Sequence, residues 1–176
     1  MRWFQKRRAR RAAQENVNQA AEVTEKFTDI ARELMKGFVD ATGLDGNQFG
    51  VPDNLRRQFS AKARIYNESI ILALLTSKAQ QDSSYKNLLI AFERLVFPGT
   101  QAESGVAKLS QVNEAVRNVA ELLRSKESEM RWARSWLSSI GREETNPVTL
   151  GLFAWYWMER YKAISLAIGD IRALLT

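Results

Sequence analysis

Apolar residues recur at intervals of three and four residues over most of the chain, and no stretch alternates apolar and polar residues as a strand does. This pattern predicts helices throughout. The first predicted helix is long, covering about residues 5–41, and Gly43 is placed to end it. Its predicted inward positions are Ala9, Ala13, Ala20, Val23, Phe27, Ile30, Leu34 and Phe38.

Prolines mark the limits of the next two predicted helices. The second begins near Pro52–Asp53, and the third covers about residues 84–97 and stops at Pro98–Gly99. Residues 70–75 are apolar on every side of the helix, which predicts deep burial. The predicted inward positions of the second helix are Leu55, Phe59, Tyr66, Ile70, Ala73 and Leu74.

The fourth predicted helix has the most regular repeat. Thr100 and Glu103 have the spacing of a capping box at its start, and Gly141 is placed to end it. Only Lys126 interrupts the apolar seam. The seam positions are Leu109, Val112, Val116, Val119, Leu123, Lys126, Met130, Ala133, Leu137 and Ile140.

The fifth predicted helix opens at Asn146–Pro147, with asparagine as cap and proline as first residue. Its seam is Leu150, Phe153 or Ala154, Trp157, Tyr161, Ile164, Ile168, Ile171 and Leu175. Long seams joined by short connections predict an all-α fold, an antiparallel bundle of about five helices. We expect a single helical-bundle domain over residues 14–176, preceded by an arm over residues 1–13 that continues into the first helix.

The fourth and fifth helices carry more apolar surface than one seam requires. Val148, Leu152, Trp155 and Leu166 form a second line on the fifth helix, typical of either a surrounded central helix or a subunit interface. On the fourth helix, Trp132 and Trp136 lie off the seam. With Arg131 and Arg134 they form either ordinary packing or a secondary basic-aromatic patch for nucleic acid. We expect a homo-oligomer or a subunit of a larger assembly.

The net charge of the chain is +6, and it belongs entirely to the arm. No acidic residue lies within the first eleven positions, and the 20 basic residues outside them are balanced by 20 acidic residues. Such a cluster indicates an anionic partner. The predicted polyanion-binding residues are Arg2, Trp3, Phe4, Lys6, Arg7, Arg8, Arg10 and Arg11.

Two partners fit the arm. Arginine forks suit phosphate oxygens, and neighbouring rings can stack on bases, which favours nucleic acid held without sequence reading. The same residues can sit at an anionic membrane surface, although Trp3 and Phe4 are a narrow apolar face for that purpose. A solvated terminus with no dedicated partner, or one that binds an acidic protein, is a third interpretation of the arm. A scaffold whose second apolar line binds another protein is a further hypothesis for the chain.

Missing residue types argue against most enzymes. The chain has no histidine and no cysteine, so a Ser-His-Asp or Cys-His arrangement, a Glu-x-x-His iron site and a cysteine-ligated metal site are excluded. Asp45, Asn47 and Gly50 match part of a calcium loop, but Arg56 stands where the bidentate glutamate belongs. Glu127, Glu129, Glu143 and Glu144 lie in polar stretches, which predicts solvated side chains. We expect a non-enzymatic protein without metal or cofactor.

Two short runs, 46–49 and 57–60, resemble a stretch in the coat proteins of rod-shaped plant viruses, helical bundles that assemble around RNA. The resemblance covers residues 46–60, and the basic arm and the absence of a C-terminal aromatic signature depart from that family, so no functional residue is transferred. The longest uncharged run, residues 145–158, is shorter than a membrane span of about 20 residues. We expect an intracellular protein, soluble or peripherally membrane-associated, or a component of a virion.

Overall fold

A computed structural model describes residues 24–40, 49–97, 112, 114, 115, 117 and 126–175. Every regular element within these residues is helical, which confirms the all-α class. Several predicted features lie outside the described residues: the first helix before residue 24, its end at Gly43, and the capping box at Thr100.

Five helices are described. Helix α1 covers residues 24–34 and continues as a π-helix, Met35–Asp40. Helices α2 and α3 are Asp53–Gln81 and Tyr85–Val96, and α4 is Lys126–Ser138. Helix α5, Pro147–Asp170, is followed by a 3-10 turn, Ile171–Leu174. Val112, Glu114, Ala115 and Arg117 are also helical and belong to the predicted fourth helix.

The predicted start of α5 is confirmed in atomic detail. The Asn146 side chain accepts a hydrogen bond from the backbone N–H of Val148 at 2.9 Å, and Pro147 is the first helical residue. A cap of this kind satisfies a backbone donor that has no partner within the helix. Helix α2 likewise begins at Asp53, directly after Pro52.

Gly141 ends the fourth helix, as predicted, through a Schellman motif. The N–H of Gly141 donates to the carbonyl of Ser138 at 2.9 Å, and the N–H of Arg142 donates to the carbonyl of Leu137 at 3.1 Å. Gly141 has a φ of 81°, in the left-handed region that favours glycine. The motif reverses the chain and directs Arg142 back toward the body of the protein.

Helix α2 lies at the centre of the fold and packs against α3, α5 and the π-helix, while α4 packs against α5. Most of its predicted apolar run is buried, because Ile70, Ile71, Leu72 and Leu75 contact these neighbours. The predicted seam of α5 is also confirmed, with Leu150, Phe153, Trp157, Ile164 and Ile168 buried.

Among the seam positions whose side chains are described, the prediction for the fourth helix is wrong at Met130. Met130 is exposed, whereas Ala133, Leu137 and Ile140 are buried as predicted. The buried face is rotated toward Trp132 and Trp136, because rings of α2 and α5 both pack against that side of the helix. The repeat of three and four residues predicts one buried face for the fourth helix. Contact with both α2 and α5 shifts that face toward Trp132 and Trp136.

Two arginines attach the C-terminal end of the π-helix to the rest of the protein. Arg160 on α5 donates to the carbonyl of Phe38 at 2.6 Å and to the Asn67 side chain at 3.2 Å. Arg64 on α2 pairs with Asp40 at 2.9 Å. Free carbonyls at a helix end carry partial negative charge, so guanidinium groups are favourable partners there.

We expect Gly141→Ala to lower the free energy of unfolding by about 1–2 kcal/mol, because alanine is strained at a φ of 81°. Urea denaturation measures the change. Gly151→Ala is the matched control, since Gly151 lies inside α5 with open space around an added methyl group. That substitution should be neutral or stabilising by up to about 1 kcal/mol. Equal destabilisation by both substitutions would contradict the assignment of Gly141.

Candidate interaction surface

The second apolar line predicted on α5 is exposed. Between 54% and 69% of the surface of each of its four residues is accessible. The α5 outer stripe is defined as Val148, Leu152, Trp155 and Leu166. Exposed lines of large apolar side chains on one helix face are typical of an interaction surface, whereas single exposed apolar residues are ordinary. No described helix covers this face of α5, and its role as a subunit interface stays a prediction.

The α5 outer stripe lies directly opposite the buried seam of the same helix. At 3.6 residues per turn, the spacing from Val148 to Leu152 and Trp155 keeps the three residues on one face, while Leu150 and Trp157 point to the other. Glu159 and Lys162 share the outer face, and their side chains form an ion pair at 2.6 Å. The stripe is thus apolar at both ends and carries one charge of each sign between them.

The four residues of the predicted basic-aromatic patch on α4 do not share one surface, because the two tryptophans are buried and the two arginines are exposed. Trp132 and Trp136 are only 7% and 2% exposed, whereas Arg131 and Arg134 are exposed. The two indoles pack on Phe153, with ring centroids 5.8 Å and 4.8 Å away. Their rings are therefore core residues and are not presented to solvent for base stacking. This outcome matches the ordinary-packing interpretation.

The basic arm, residues 1–13, lies outside the described residues. Each predicted polyanion-binding residue, from Arg2 to Arg11, belongs to it. In the described part of the chain, basic side chains are paired or scattered among acidic ones, as in the ion pairs of Arg32 with Asp29 and Arg172 with Asp82. These described residues form no concentrated basic surface comparable to the predicted arm.

A cavity of about 420 Å³ lies between α2, α4 and the helical residues near 115. Lys62 lies at its wall, with Nζ hydrogen-bonded to the Ser139 hydroxyl and 5.6 Å from the Trp136 ring centroid. Partial burial lowers the pKa of Lys62, and the nearby Glu114 carboxylate opposes that shift. The lining residues are Gln58, Ala61, Lys62, Ile65, Tyr66, Glu114, Ala115, Ser139 and Ile140.

The Lys62–Ser139 contact has the composition of a serine–lysine catalytic pair but the wrong surroundings for one. Acyl transfer requires N–H donors around the developing oxyanion. Ser139 follows the last turn of α4, and its hydroxyl donates to the carbonyl of Trp136 at 2.6 Å. Carbonyl oxygens at a helix C-terminus disfavour negative charge and favour a cation. Lys62 is therefore best explained as a cation bound to the end of α4.

The prediction that Glu144 is solvated is wrong. Its carboxylate was predicted to be solvated, but the side chain is only 12% exposed. It accepts hydrogen bonds from Arg142 Nη2 at 2.5 Å and from the backbone N–H of Asn146 at 2.8 Å. Glu143, one residue away, is exposed as predicted, and Glu129 is half-buried. The Glu127 side chain lies outside the described residues.

Arg142 connects two distant parts of the chain. One Nη group donates to the carbonyl of Phe49, while the other binds Glu144. The backbone N–H of Asn146 and the Arg142 side chain together lower the pKa of Glu144. These two contacts of Arg142, with the Phe49 carbonyl and with Glu144, are called the Arg142 clamp. The sequence did not predict the clamp, because an arginine two residues before a glutamate is common in polar loops. The only sequence signal was the placement of Arg142 directly after a helix-ending glycine.

The described residues contain neither a metal-binding group nor a membrane-spanning helix. No group of three or more acidic residues is arranged there to hold a metal ion. No helix in this part of the protein combines the length and the apolar character needed to cross a bilayer.

Comparison of the chain with known protein families, curated proteins and solved structures finds no match.

We expect Glu144→Gln to make the free energy of unfolding fall less steeply as the pH is lowered into the acidic range. Because the folded-state pKa lies below the ordinary value of 4.5, the carboxylate stabilises the fold above that pH, and the stabilisation is lost as pH falls through the folded pKa. Urea denaturation at several pH values measures the slope. Glu143→Gln is the control and should follow the natural protein. Identical slopes for all three proteins would contradict a structural role for the Glu144 carboxylate.

Proposed function

We propose that this chain is a non-enzymatic assembly subunit, comparable to a coat or packaging protein, that binds nucleic-acid backbone without reading base sequence. In this proposal the helices form an antiparallel bundle, and the basic arm projects from it. The observation that carries the proposal is the distribution of charge. The arm holds a net charge of +6, and the remainder of the chain is neutral.

The charge distribution favours a polyanion for a physical reason. Six basic side chains on an acid-free segment displace counterions from a phosphate backbone, and the released counterions drive binding. A neutral body neither adds to this attraction nor opposes close packing of neighbouring subunits on one polyanion. Five of the six cations are arginines, whose planar forks bind phosphate oxygens in pairs.

The burial of Trp132 and Trp136 supports the arm as the main contact. Without those rings, Arg131 and Arg134 are two exposed charges on α4 and lack a stacking platform. The α5 outer stripe supports the repeated-subunit part of the proposal. An exposed line of apolar side chains gives a neutral body a means of association that does not depend on charge.

A peripheral membrane protein is the second candidate, favoured by Trp3 and Phe4 at the start of the arm. Aromatic residues beside basic ones are suited to the interface of an anionic bilayer. The two candidates differ in their dependence on these rings. Membrane binding requires Trp3 and Phe4, whereas phosphate binding requires the arginines.

Co-sedimentation across a salt series tests the proposal. With duplex DNA we expect the logarithm of the binding constant to fall with the logarithm of salt at a slope of about −5, for six phosphate contacts. Deletion of residues 1–13 should abolish binding. A variant with Arg7, Arg8, Arg10 and Arg11 all replaced by alanine should reduce the slope to about −2.

Two controls make the outcome decisive. Arg131→Ala with Arg134→Ala removes exposed charge from the body and should leave polynucleotide binding unchanged. Trp3→Ala with Phe4→Ala should have a small effect on duplex binding but a large effect on anionic liposomes if the membrane is the partner. Polynucleotide binding that survives deletion of the arm would remove the leading proposal.

A further inference from the structure

The α5 outer stripe has a pattern that is complementary to itself in the antiparallel direction. Along the outer face of α5, the stripe residues Val148, Leu152 and Trp155 are followed by the ion pair of Glu159 and Lys162 and then by Leu166. Glu159 and Lys162 are 44% and 61% exposed, so both are accessible to a neighbouring molecule. Opposite charges at the centre of a face determine the direction in which a second copy fits.

We infer that α5 pairs with α5 of a second copy of this chain, antiparallel and across a two-fold axis located between Glu159 and Lys162. This inference rests on the repeated-subunit part of the proposed function. In this register each Glu159 carboxylate meets the Lys162 ammonium of the other copy, which makes two equivalent ion pairs. A two-fold interface uses the same patch on both subunits, so a self-complementary patch is what it requires.

The register also pairs the apolar residues. Each Trp155 lies opposite Leu166 of the other copy, and each Leu152 lies opposite Gly169. Gly169 is exposed, with no atom within 4 Å of the position its Cβ would occupy, so the two helices can approach closely there. Val148 reaches the 3-10 turn of the other copy near Leu174, which is also exposed. On both sides of the two ion pairs, Trp155, Leu152 and Val148 therefore each meet an apolar residue or a glycine. The exposed Asp170 at the end of the helix lies opposite Gly151.

Other registers fit less well. A parallel pair would bring Glu159 against Glu159 and Lys162 against Lys162, and like charges in contact weaken association. An antiparallel pair centred near Trp157 would place Leu152 against Lys162 and Trp155 against Glu159. Of these three arrangements, the register centred between the two charged residues is the one that satisfies both the charges and the apolar side chains.

Charge reversal tests the register. Glu159→Lys alone gives a homodimer with two lysine–lysine contacts, and Lys162→Glu alone gives two glutamate–glutamate contacts. We expect each variant to have a dimer Kd at least about tenfold above that of the natural chain. An equimolar mixture of the two variants restores both ion pairs, and we expect heterodimers of nearly natural affinity. Sedimentation equilibrium of the full chain, free of nucleic acid, measures all three.

A matched control is available on α1. Asp29 and Arg32 form an exposed ion pair with the same spacing of three residues, at 2.8 Å. Asp29→Arg and Arg32→Asp should leave the dimer Kd unchanged, alone or mixed. Exposed pairs of this type contribute little to folding, so the reversed variants should keep natural thermal unfolding curves. Leu152→Glu removes apolar contact without changing the pair and should weaken the dimer at least tenfold, or about 1.4 kcal/mol.

Three results would overturn the inference. A natural chain that stays monomeric at high micromolar concentration would show that α5 does not pair with a second copy. Dimers unaffected by Leu152→Glu would use a different face. Single variants that fail to recover on mixing would exclude this register. None of these results depends on the arm, so polynucleotide binding by a monomeric chain would remove this inference and leave nucleic-acid binding intact.

Discussion

The structure depends on the packing of aromatic rings around Phe153. This side chain, on α5, lies 4.8 Å from Trp136 and 5.8 Å from Trp132 of α4, and 5.1 Å from Phe49 in the segment before α2, measured between ring centroids. Edge-to-face and offset contacts of this kind add about 0.5–1.5 kcal/mol each to the free energy gained by burying the rings. Among the described residues, no acceptor binds the indole N–H of Trp132 or Trp136, so ring packing holds these side chains in place.

The orientation of α5 follows from this cluster. Phe153 and Trp157 must face α2 and α4, because rings from both helices surround them. A helix presents opposite faces half a turn apart, so the rotation that buries Phe153 and Trp157 turns Leu152 and Trp155 away from this cluster, and no described helix covers them. The exposed stripe is thus a consequence of core packing combined with a sequence that is apolar on both faces.

The two contacts proposed for this protein, through the basic arm and through the α5 outer stripe, rest on different forces. In the proposed function, binding to phosphate through the arm would be electrostatic and would weaken steeply with salt, whereas the proposed association through the stripe would be mainly apolar and would depend less on salt. If the two act together, dimerisation places two arms on one particle and raises the effective concentration of each for a shared polyanion. The Arg142 clamp has no part in either contact. It holds the carbonyl of Phe49, and with it that ring, against the aromatic cluster.

The amino-acid sequence by itself determined the all-α class and the helix ends at Pro52, Gly141 and Asn146. The repeats of three and four residues, the cap at Asn146 and the turn at Gly141 act over a few residues, and local rules describe such contacts well. It also identified the second apolar line of α5. Only the tertiary structure decided that this line is exposed, that Trp132 and Trp136 are core residues, that Met130 faces solvent, and that Glu144 is an ion-pair partner of Arg142. The reason is physical: a helix with two apolar faces, or a glutamate in a polar loop, is compatible with several environments. The neighbours that select one of them lie far away in the sequence, as Phe49 does from Arg142.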